Sequence, residues 1–207
     1  QGALPVLRGM GVAVEEVSMP SLRFALPAYY VLATSEASTN LARYCGMRFG
    51  RREEELNQHF NDFFTGVRSE GFGDEAKRRI LLGTFCRMVG FRSRYYLKSL
   101  AVRQMLIGEY RRVFQEHDAV LTPTMPFLPP RFEDIRRMTP LEMYLADFLT
   151  IPPNLVGMPH VSVPCGYVDG LPVGMQVVAD HWKEMDLLEL AKGWEGAFPY
   201  TFPEVRP

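Results

Sequence analysis

Serine and histidine side chains are the first candidates for chemistry, because an activated hydroxyl or imidazole can attack or deprotonate a substrate. A serine acts as a nucleophile only beside a general base and donors that stabilise the developing oxyanion. Ser38 lies two residues after Glu36 and could be such a nucleophile, with Glu36 beside it. The alternative is a helix-surface or buried hydroxyl. The histidines have no triad-like neighbours, and we expect core or solvent-facing positions for His59, His117, His160 and His181.

Three cysteines are the next candidates, as metal ligands, disulfide partners or nucleophiles. Cys45, Cys86 and Cys165 are far apart and odd in number, and their spacing matches neither a metal site nor a disulfide framework. Buried free thiols in a reducing cytosol are the expected outcome. The sequence therefore predicts no metal site and a cytoplasmic protein.

The bulk composition is that of an ordinary globular chain. It has 207 residues, of which 47% are hydrophobic and 23% charged, and a net charge of −1. This length suits one domain over residues 1–207. The near-neutral charge gives no polybasic surface, and no apolar run reaches the roughly 18 residues of a membrane span. A local basic cluster is expected to be a solvated helix face, with a tRNA contact as the alternative; it comprises Arg92, Arg94, Lys98 and Arg103.

Short apolar runs and longer amphipathic stretches alternate along the chain, which predicts an α/β fold with a mixed sheet covered by helices. The predicted strands are residues 11–17, 119–122, 160–164 and 172–179. The predicted helices are residues 21–43, 53–70, 74–88, 92–117, 141–148 and 184–195. A turn at Asp169-Gly170 is expected to join the last two strands, and Gly174 to permit close packing of the second.

Two helices have well-defined sequence signals. The helix at 53–70 has an apolar stripe at helical spacing, made of Leu56, Phe60, Phe63, Phe64 and Val67. The helix at 92–117 brings a second stripe to one face, made of Tyr96, Leu100, Leu106, Tyr110 and Val113. Asp74 is expected to cap the helix at 74–88, and Ser21 the helix at 21–43.

Nine segments together carry a family resemblance. They are residues 26–30, 35–44, 70–73, 77–84, 118–124, 140–147, 150–159, 162–166 and 170–176. On these segments the chain resembles the amidase signature family over residues 4–195. Within it, the pair Arg78-Arg79 and residues 143–147 favour the A subunits of the glutamyl-tRNA(Gln)/aspartyl-tRNA(Asn) amidotransferases.

The resemblance implies amide hydrolysis by a serine nucleophile, a second serine in a cis-peptide and a lysine base. In the family this nucleophile lies in a Gly/Ser-rich stretch upstream of the segments seen here. The surroundings of the present serines do not match that stretch; these serines are Ser35, Ser38, Ser69, Ser93, Ser99 and Ser162. We therefore expect a C-terminal part of one amidase signature domain, starting at Gln1 as a fragment, with no catalytic residue and no activity alone.

The resemblance also places the family's glutamine-binding residues at Tyr29, Arg79 and Asp147. Each has a structural alternative. Arg79 could solvate a helix face or pair with Asp74 or Glu75. Asp147 could cap a helix or pair with Arg43, and Tyr29 could be a core aromatic residue.

The function implied is that of a glutaminase subunit, which hydrolyses glutamine and passes ammonia to the amidation of Glu-tRNA(Gln) or Asp-tRNA(Asn). The implied partners are subunits B and C, with tRNA bound mainly through the partner and no membrane contact. No cofactor is expected in this chain, whereas ATP and Mg are used by the partner subunit. The alternatives are a fragment of a stand-alone amidase and a catalytically dead amino-acid-binding module.

Overall fold

The computed structural model describes residues 2–50 and 59–201, which form helices and a small sheet. The helices are α1 (Ala3–Gly9), α2 (Ala25–Asn40), α3 (Phe60–Gly71), α4 (Asp74–Arg87), α5 (Tyr96–Val113), α6 (Phe132–Ile135), α7 (Pro140–Leu145), α8 (Ile151–Val156) and α9 (Glu184–Ala197). The strands are β1 (Ala119–Pro123), β2 (His160–Val168) and β3 (Leu171–Ala179). Short 3-10 helices at Pro20–Phe24 and Leu41–Arg43 flank α2. No helix within these described ranges is both long and apolar enough to cross a bilayer.

The chain divides into two compact units. The first comprises Gln1–Leu26 with Arg103–Pro207, and the second Pro27–Val102. The first unit contains the sheet with α1 and α9. The second contains α3 and α4 with most of α2.

The sheet of the first unit has the order β1-β3-β2, and both pairings are antiparallel. The predicted turn joins β2 to β3, with Asp169 and Gly170 at φ of 52° and 76°. Two successive positive φ values are those of the tight hairpin turns whose twist suits the flanking strands. A bulge between Pro164 and Gly166 shifts the register of β2. The α/β class is confirmed.

One face of this sheet carries the core of the first unit. Met175 and Val177 of β3 point into it with Val163 of β2, and α9 covers them with Leu187 and Trp194. The Trp194 indole N–H donates to the Pro164 carbonyl oxygen at 2.9 Å, so the buried ring keeps its hydrogen bond. The sheet is thus sealed on one side by apolar packing.

The predicted strand at 11–17 is wrong: these residues have no regular secondary structure and pair with no strand in the described part of the chain. Val12 and Val14 do alternate inward against the core. However, the segment is tied to α5 and its C-terminal extension by side chains, through Arg112 to the Ser18 carbonyl and Glu15 to His117. Alternation fixes which side chains turn inward, whereas a strand also requires a neighbouring backbone.

In the second unit, α3 and α4 form in the predicted regions. α3 begins at Phe60, later than predicted. Of the predicted stripe, Phe63 and Val67 are buried and Phe60 is exposed, while Leu56 lies outside the described residues. α4 covers Asp74–Arg87, although Gly73 rather than Asp74 precedes its first turn.

The predicted helix at 21–43 is interrupted near its start. The chain makes a 3-10 turn at Pro20–Phe24 before α2 begins at Ala25. Ser21 does not cap the helix, and its backbone N–H donates instead to the Glu109 carboxylate at 3.1 Å. A long-range contact with α5 thus replaces the local cap that the sequence predicts.

Candidate substrate-binding site

The three predicted binding residues lie on different elements. Tyr29 is on the first turns of α2 and Arg79 is in the middle of α4, both in the second unit. Asp147 follows α7 in the first unit. The prediction that Arg79 and Asp147 share one cleft therefore stays a prediction, and each residue is described within its own unit.

Arg79 lies on α4, whose first and last turns carry charges that suit the helix dipole. Asp74 and Glu75 occupy the first turn of α4 and Arg87 the last, which opposes the partial charges of the helix ends. The Arg79 Nε lies 2.9 Å from Glu75 Oε1, one turn earlier, and Arg78 contacts the other oxygen of the same carboxylate. The predicted alternative of pairing with Glu75 is thus realised. The Arg79 side chain keeps 41% of its surface exposed, so a ligand in solvent can reach it.

A close crossing holds α4 against α2. A Cβ added to Gly83 would lie 1.9 Å from the Thr34 carbonyl oxygen, so no side chain fits there. One turn later, Arg87 donates to the Ser35 carbonyl at 3.3 Å and contacts the Thr39 hydroxyl. These contacts place Gly83 and Arg87 of α4 against the second half of α2.

Tyr29 lies on α2, the helix that α4 crosses. It is five residues before Thr34, and Arg79 is four residues before Gly83. Tyr29 is half-buried and packs edge-on against Tyr30, with centroids 5.4 Å apart and planes at 86°. Its ring is therefore partly a packing residue, as the structural alternative proposed.

Asp147 lies in the turn between α7 and α8 and is exposed. α7 starts with a capping box: the Glu142 backbone N–H donates to the Thr139 hydroxyl, and the Thr139 backbone N–H donates back to the Glu142 carboxylate. That backbone bond, followed by the bond from the Thr139 hydroxyl, lowers the pKa of Glu142. The cap fixes where α7 begins and therefore where the Asp147 turn follows.

The C-terminal side of the Asp147 turn is held by hydrogen bonds and by the buried helix α8. The Asp147 carbonyl oxygen accepts hydrogen bonds from the Thr150 N–H at 3.1 Å and the Ile151 N–H at 2.9 Å. α8 is almost wholly buried, and it ends at Gly157 in the left-handed conformation, with φ of 81°. Arg103 Nε donates to the Leu155 carbonyl near that end at 2.8 Å. Arg103 was predicted to lie on a solvated helix face. It also contacts α8, because its Nε donates to a carbonyl near the end of that helix.

Sequence reasoning missed Gln176 of β3. Its side chain is only 1% exposed, and its amide nitrogen donates to the Leu149 carbonyl at 2.9 Å and the Thr122 hydroxyl at 3.1 Å. The signal was available: a glutamine within an apolar strand must find hydrogen-bond partners inside the protein. The predicted packing role of Gly174, two residues earlier, is confirmed, since an added Cβ would lie 2.7 Å from the Thr124 hydroxyl.

The hydroxyls considered as nucleophiles have local partners. Ser35 is buried and donates to the Val31 carbonyl at 2.6 Å, and Ser38 donates to the Ser35 carbonyl at 2.7 Å. Both bonds follow the helical i−3 or i−4 pattern of a hydroxyl satisfied by its own helix. Among the residues with described positions, no three His, Cys, Asp or Glu side chains cluster as metal ligands would.

An α/β unit with a three-stranded sheet, together with the motifs along the chain, matches one family. The family model described as Amidase matches residues 1–188, and the chain belongs to the amidase family. It is 49% identical over 183 residues to the A subunit of glutamyl-tRNA(Gln) amidotransferase from Archaeoglobus fulgidus, covering 88% of this chain and 39% of that protein. It is 45% identical over 199 residues to the corresponding protein of Geobacillus thermodenitrificans, covering 96% and 40%. The predicted resemblance to these A subunits is confirmed.

Solved structures agree with this placement. The A subunit of glutamyl-tRNA(Gln) amidotransferase from Thermotoga maritima superimposes with a TM-score of 0.69 at 32% identity, covering 97% of this chain and 38% of that one. The 6-aminohexanoate cyclic dimer hydrolase gives a TM-score of 0.70 at 19% identity, covering 96% and 40%, which shows the shared fold alone. The chain thus spans well under half the length of the relatives that it matches.

Proposed function

We propose that this chain forms part of the glutaminase subunit of a tRNA-dependent amidotransferase and supplies its glutamine-binding wall. The whole protein would hydrolyse glutamine and provide ammonia for converting Glu-tRNA(Gln) to Gln-tRNA(Gln), or Asp-tRNA(Asn) to Asn-tRNA(Asn). The observation that carries the proposal is the 45–49% identity to two glutamyl-tRNA(Gln) amidotransferase A subunits over most of this chain. The hydrolase that shares the fold reaches only 19%.

Three side chains would divide the recognition of glutamine among them. The Arg79 guanidinium can bind the α-carboxylate through two parallel N–H donors. The Asp147 carboxylate can bind the α-ammonium group. The Tyr29 hydroxyl can donate to or accept from the side-chain amide. Opposite charges on the protein would thus match the two opposite charges that every α-amino acid carries, and generic amidases have no need for such a pair.

The pairing of Arg79 with Glu75 is compatible with this role. Ion pairs between exposed side chains contribute only about 0–1 kcal/mol, so a bound carboxylate can replace the Glu75 contact at small cost. Arg78 contacts the same Glu75 carboxylate. It would keep that charge compensated when Arg79 turns towards a ligand.

The remaining parts of the reaction would lie outside this chain. The serine nucleophile, its partner serine and the lysine base would come from another part of the complete protein, and Ser35 and Ser38 already donate to helix carbonyls. Subunits B and C would complete the assembly, with tRNA, ATP and Mg bound mainly by the partner. This chain would hold no cofactor, and the assembly would act in the cytoplasm as a carbon–nitrogen ligase.

One assay with two arms tests the proposal. The complete protein that carries residues 1–207, assembled with its partners, should release ammonia from glutamine and form Gln-tRNA(Gln) or Asn-tRNA(Asn). The purified 207-residue chain should release none, because nucleophilic catalysis requires the activated serine. Glutamine without protein is the control for spontaneous release.

Each alternative predicts a different result. Ammonia released by the 207-residue chain would contradict the placement of the nucleophile elsewhere. A complete protein that hydrolyses simple amides as readily as glutamine would favour the stand-alone amidase. A complete protein that binds glutamine without hydrolysing it would favour the binding module.

A further inference from the structure

The buried amide of Gln176 connects the sheet to the turn that carries Asp147. Gln176 is on β3, the central strand, where it faces Thr122 of β1 in the antiparallel register. Its amide nitrogen donates one hydrogen bond to the Thr122 hydroxyl at 3.1 Å and the other to the Leu149 carbonyl at 2.9 Å. Leu149 lies two residues after Asp147. The central strand, paired on both sides, thus holds the turn by one side chain.

The geometry of the turn transmits this constraint to Asp147. Thr150 and Ile151 follow Leu149 directly, and their backbone N–H groups donate to the Asp147 carbonyl. These residues therefore form a single hydrogen-bonded turn, with the buried helix α8 immediately after it. A shift of the Leu149 carbonyl would move the Asp147 backbone with it.

We propose that Gln176 is a positioning residue for the Asp147 carboxylate and so determines the affinity for the α-ammonium group of the substrate. The inference rests on the proposed function, in which Asp147 binds that group. Binding geometry is sensitive to displacements of about 1 Å, and the backbone of this turn sets where the Asp147 side chain starts. A buried amide on the central strand, with both N–H donors bonded, provides the rigid support that the turn requires.

Substitutions at Gln176 and Thr122 separate positioning from packing. Gln176→Met keeps an unbranched side chain of similar length and removes both donors, so the Leu149 carbonyl loses the amide. Thr122→Val is the matched control, because it removes the other bond of the same amide and leaves the bond to Leu149. Both variants disturb the same buried cluster, but only the first releases the turn.

The experiment compares two substrates in the complete protein. One is glutamine, and the other is 4-carbamoylbutanoate, which is glutamine without its α-amino group. Gln176→Met should raise KM for glutamine about five- to tenfold, the effect of losing one well-placed hydrogen bond or charge contact. It should leave KM for 4-carbamoylbutanoate within about twofold, since that substrate has no ammonium group to bind. Thr122→Val should leave both KM values within about twofold of wild type.

The ratio of the two KM values does not depend on how much of the enzyme is folded. If Gln176→Met does not accumulate as folded protein, Gln176→Asn keeps an amide but withdraws it by one methylene, and the same ratio should change. An equal rise in both KM values, or no rise in either, would overturn the positioning role. So would a Thr122→Val variant that behaves like Gln176→Met.

A third variant distinguishes failure of this inference from failure of the proposed function. Asp147→Asn should raise KM for glutamine and spare 4-carbamoylbutanoate, and adding Gln176→Met to it should raise KM little further. If Asp147→Asn discriminates and Gln176→Met does not, the inference is wrong and the binding role of Asp147 stands. If Asp147→Asn has no effect on glutamine, the proposed role of Asp147 is wrong and the inference is wrong with it.

Discussion

Gly83 of α4 lies so close to Thr34 of α2 that a Cβ at residue 83 would stand 1.9 Å from the Thr34 carbonyl oxygen and 2.9 Å from the Ser35 nitrogen. The obstacle is helix backbone, which cannot move aside as the end of a flexible side chain can. The absence of a side chain at residue 83 is therefore a condition for this crossing.

Gly83→Ala is expected to destabilise the chain by about 3 kcal/mol, the upper end of the range for overpacking a core. The gain in helix propensity, about 1 kcal/mol, offsets only part of the backbone clash. Gly66→Ala on α3 is the matched control, because an added Cβ there meets nothing within 4 Å. It should stabilise the same unit slightly. Denaturant unfolding of the two variants measures both effects, and equal midpoints would contradict the close crossing.

Arg79→Ala in the complete protein is expected to raise KM for glutamine about ten- to a hundredfold. The physical reason is the loss of a charge-assisted pair with the α-carboxylate, which contributes about 1.5–3 kcal/mol. Arg78→Ala is the control, since both arginines contact Glu75 and only Arg79 is assigned to the ligand. Steady-state kinetics should also show Arg79→Ala and Asp147→Ala to be non-additive, because they would hold one ligand. Unchanged KM and kcat in Arg79→Ala would favour the stand-alone amidase instead.

The pairing of His117 with Glu15 predicts a pH-dependent stability. His117 Nδ1 lies 3.0 Å from the Val113 carbonyl and Nε2 lies 2.6 Å from the Glu15 carboxylate. Both partners are acceptors, so the ring donates to both only when it is protonated. The Val113 carbonyl most of all, then Glu15 and the nearby Glu116, raise the pKa of His117, while partial burial opposes them.

Because the pKa of His117 is raised in the folded state, this contribution is fully present below the ordinary histidine value and is lost as pH rises through the folded value. Glu15→Gln should therefore lower the midpoint of thermal unfolding more at about pH 5.5 than at about pH 9, either side of the usual histidine range. Glu16→Gln is the matched control on the neighbouring exposed residue. A loss of the same size at both pH values in Glu15→Gln would show that the pair contributes nothing through its charge.

Elements with local signals could be predicted from the order of residues along the chain. The predicted bounds of α4 and α9 lie within a few residues of the observed ones, since the start and end of a helix depend on local signals such as an acidic first turn. The Asp169-Gly170 pair predicted the hairpin, because few residues other than glycine, asparagine and aspartate accept positive φ. The motifs indicated the family, and with it the three residues proposed to bind glutamine.

Which distant residues each segment contacts depends instead on how the helices and strands pack together. Val12 and Val14 pack against the core but form no strand, because their segment is bonded to α5 and its C-terminal extension rather than to a sheet edge. The Gly83 crossing, the Gln176 amide and the His117 pair each join residues at least 27 positions apart in the chain. Contacts at that separation arise only when whole elements pack together, and the spacing of residues within one element does not determine that packing.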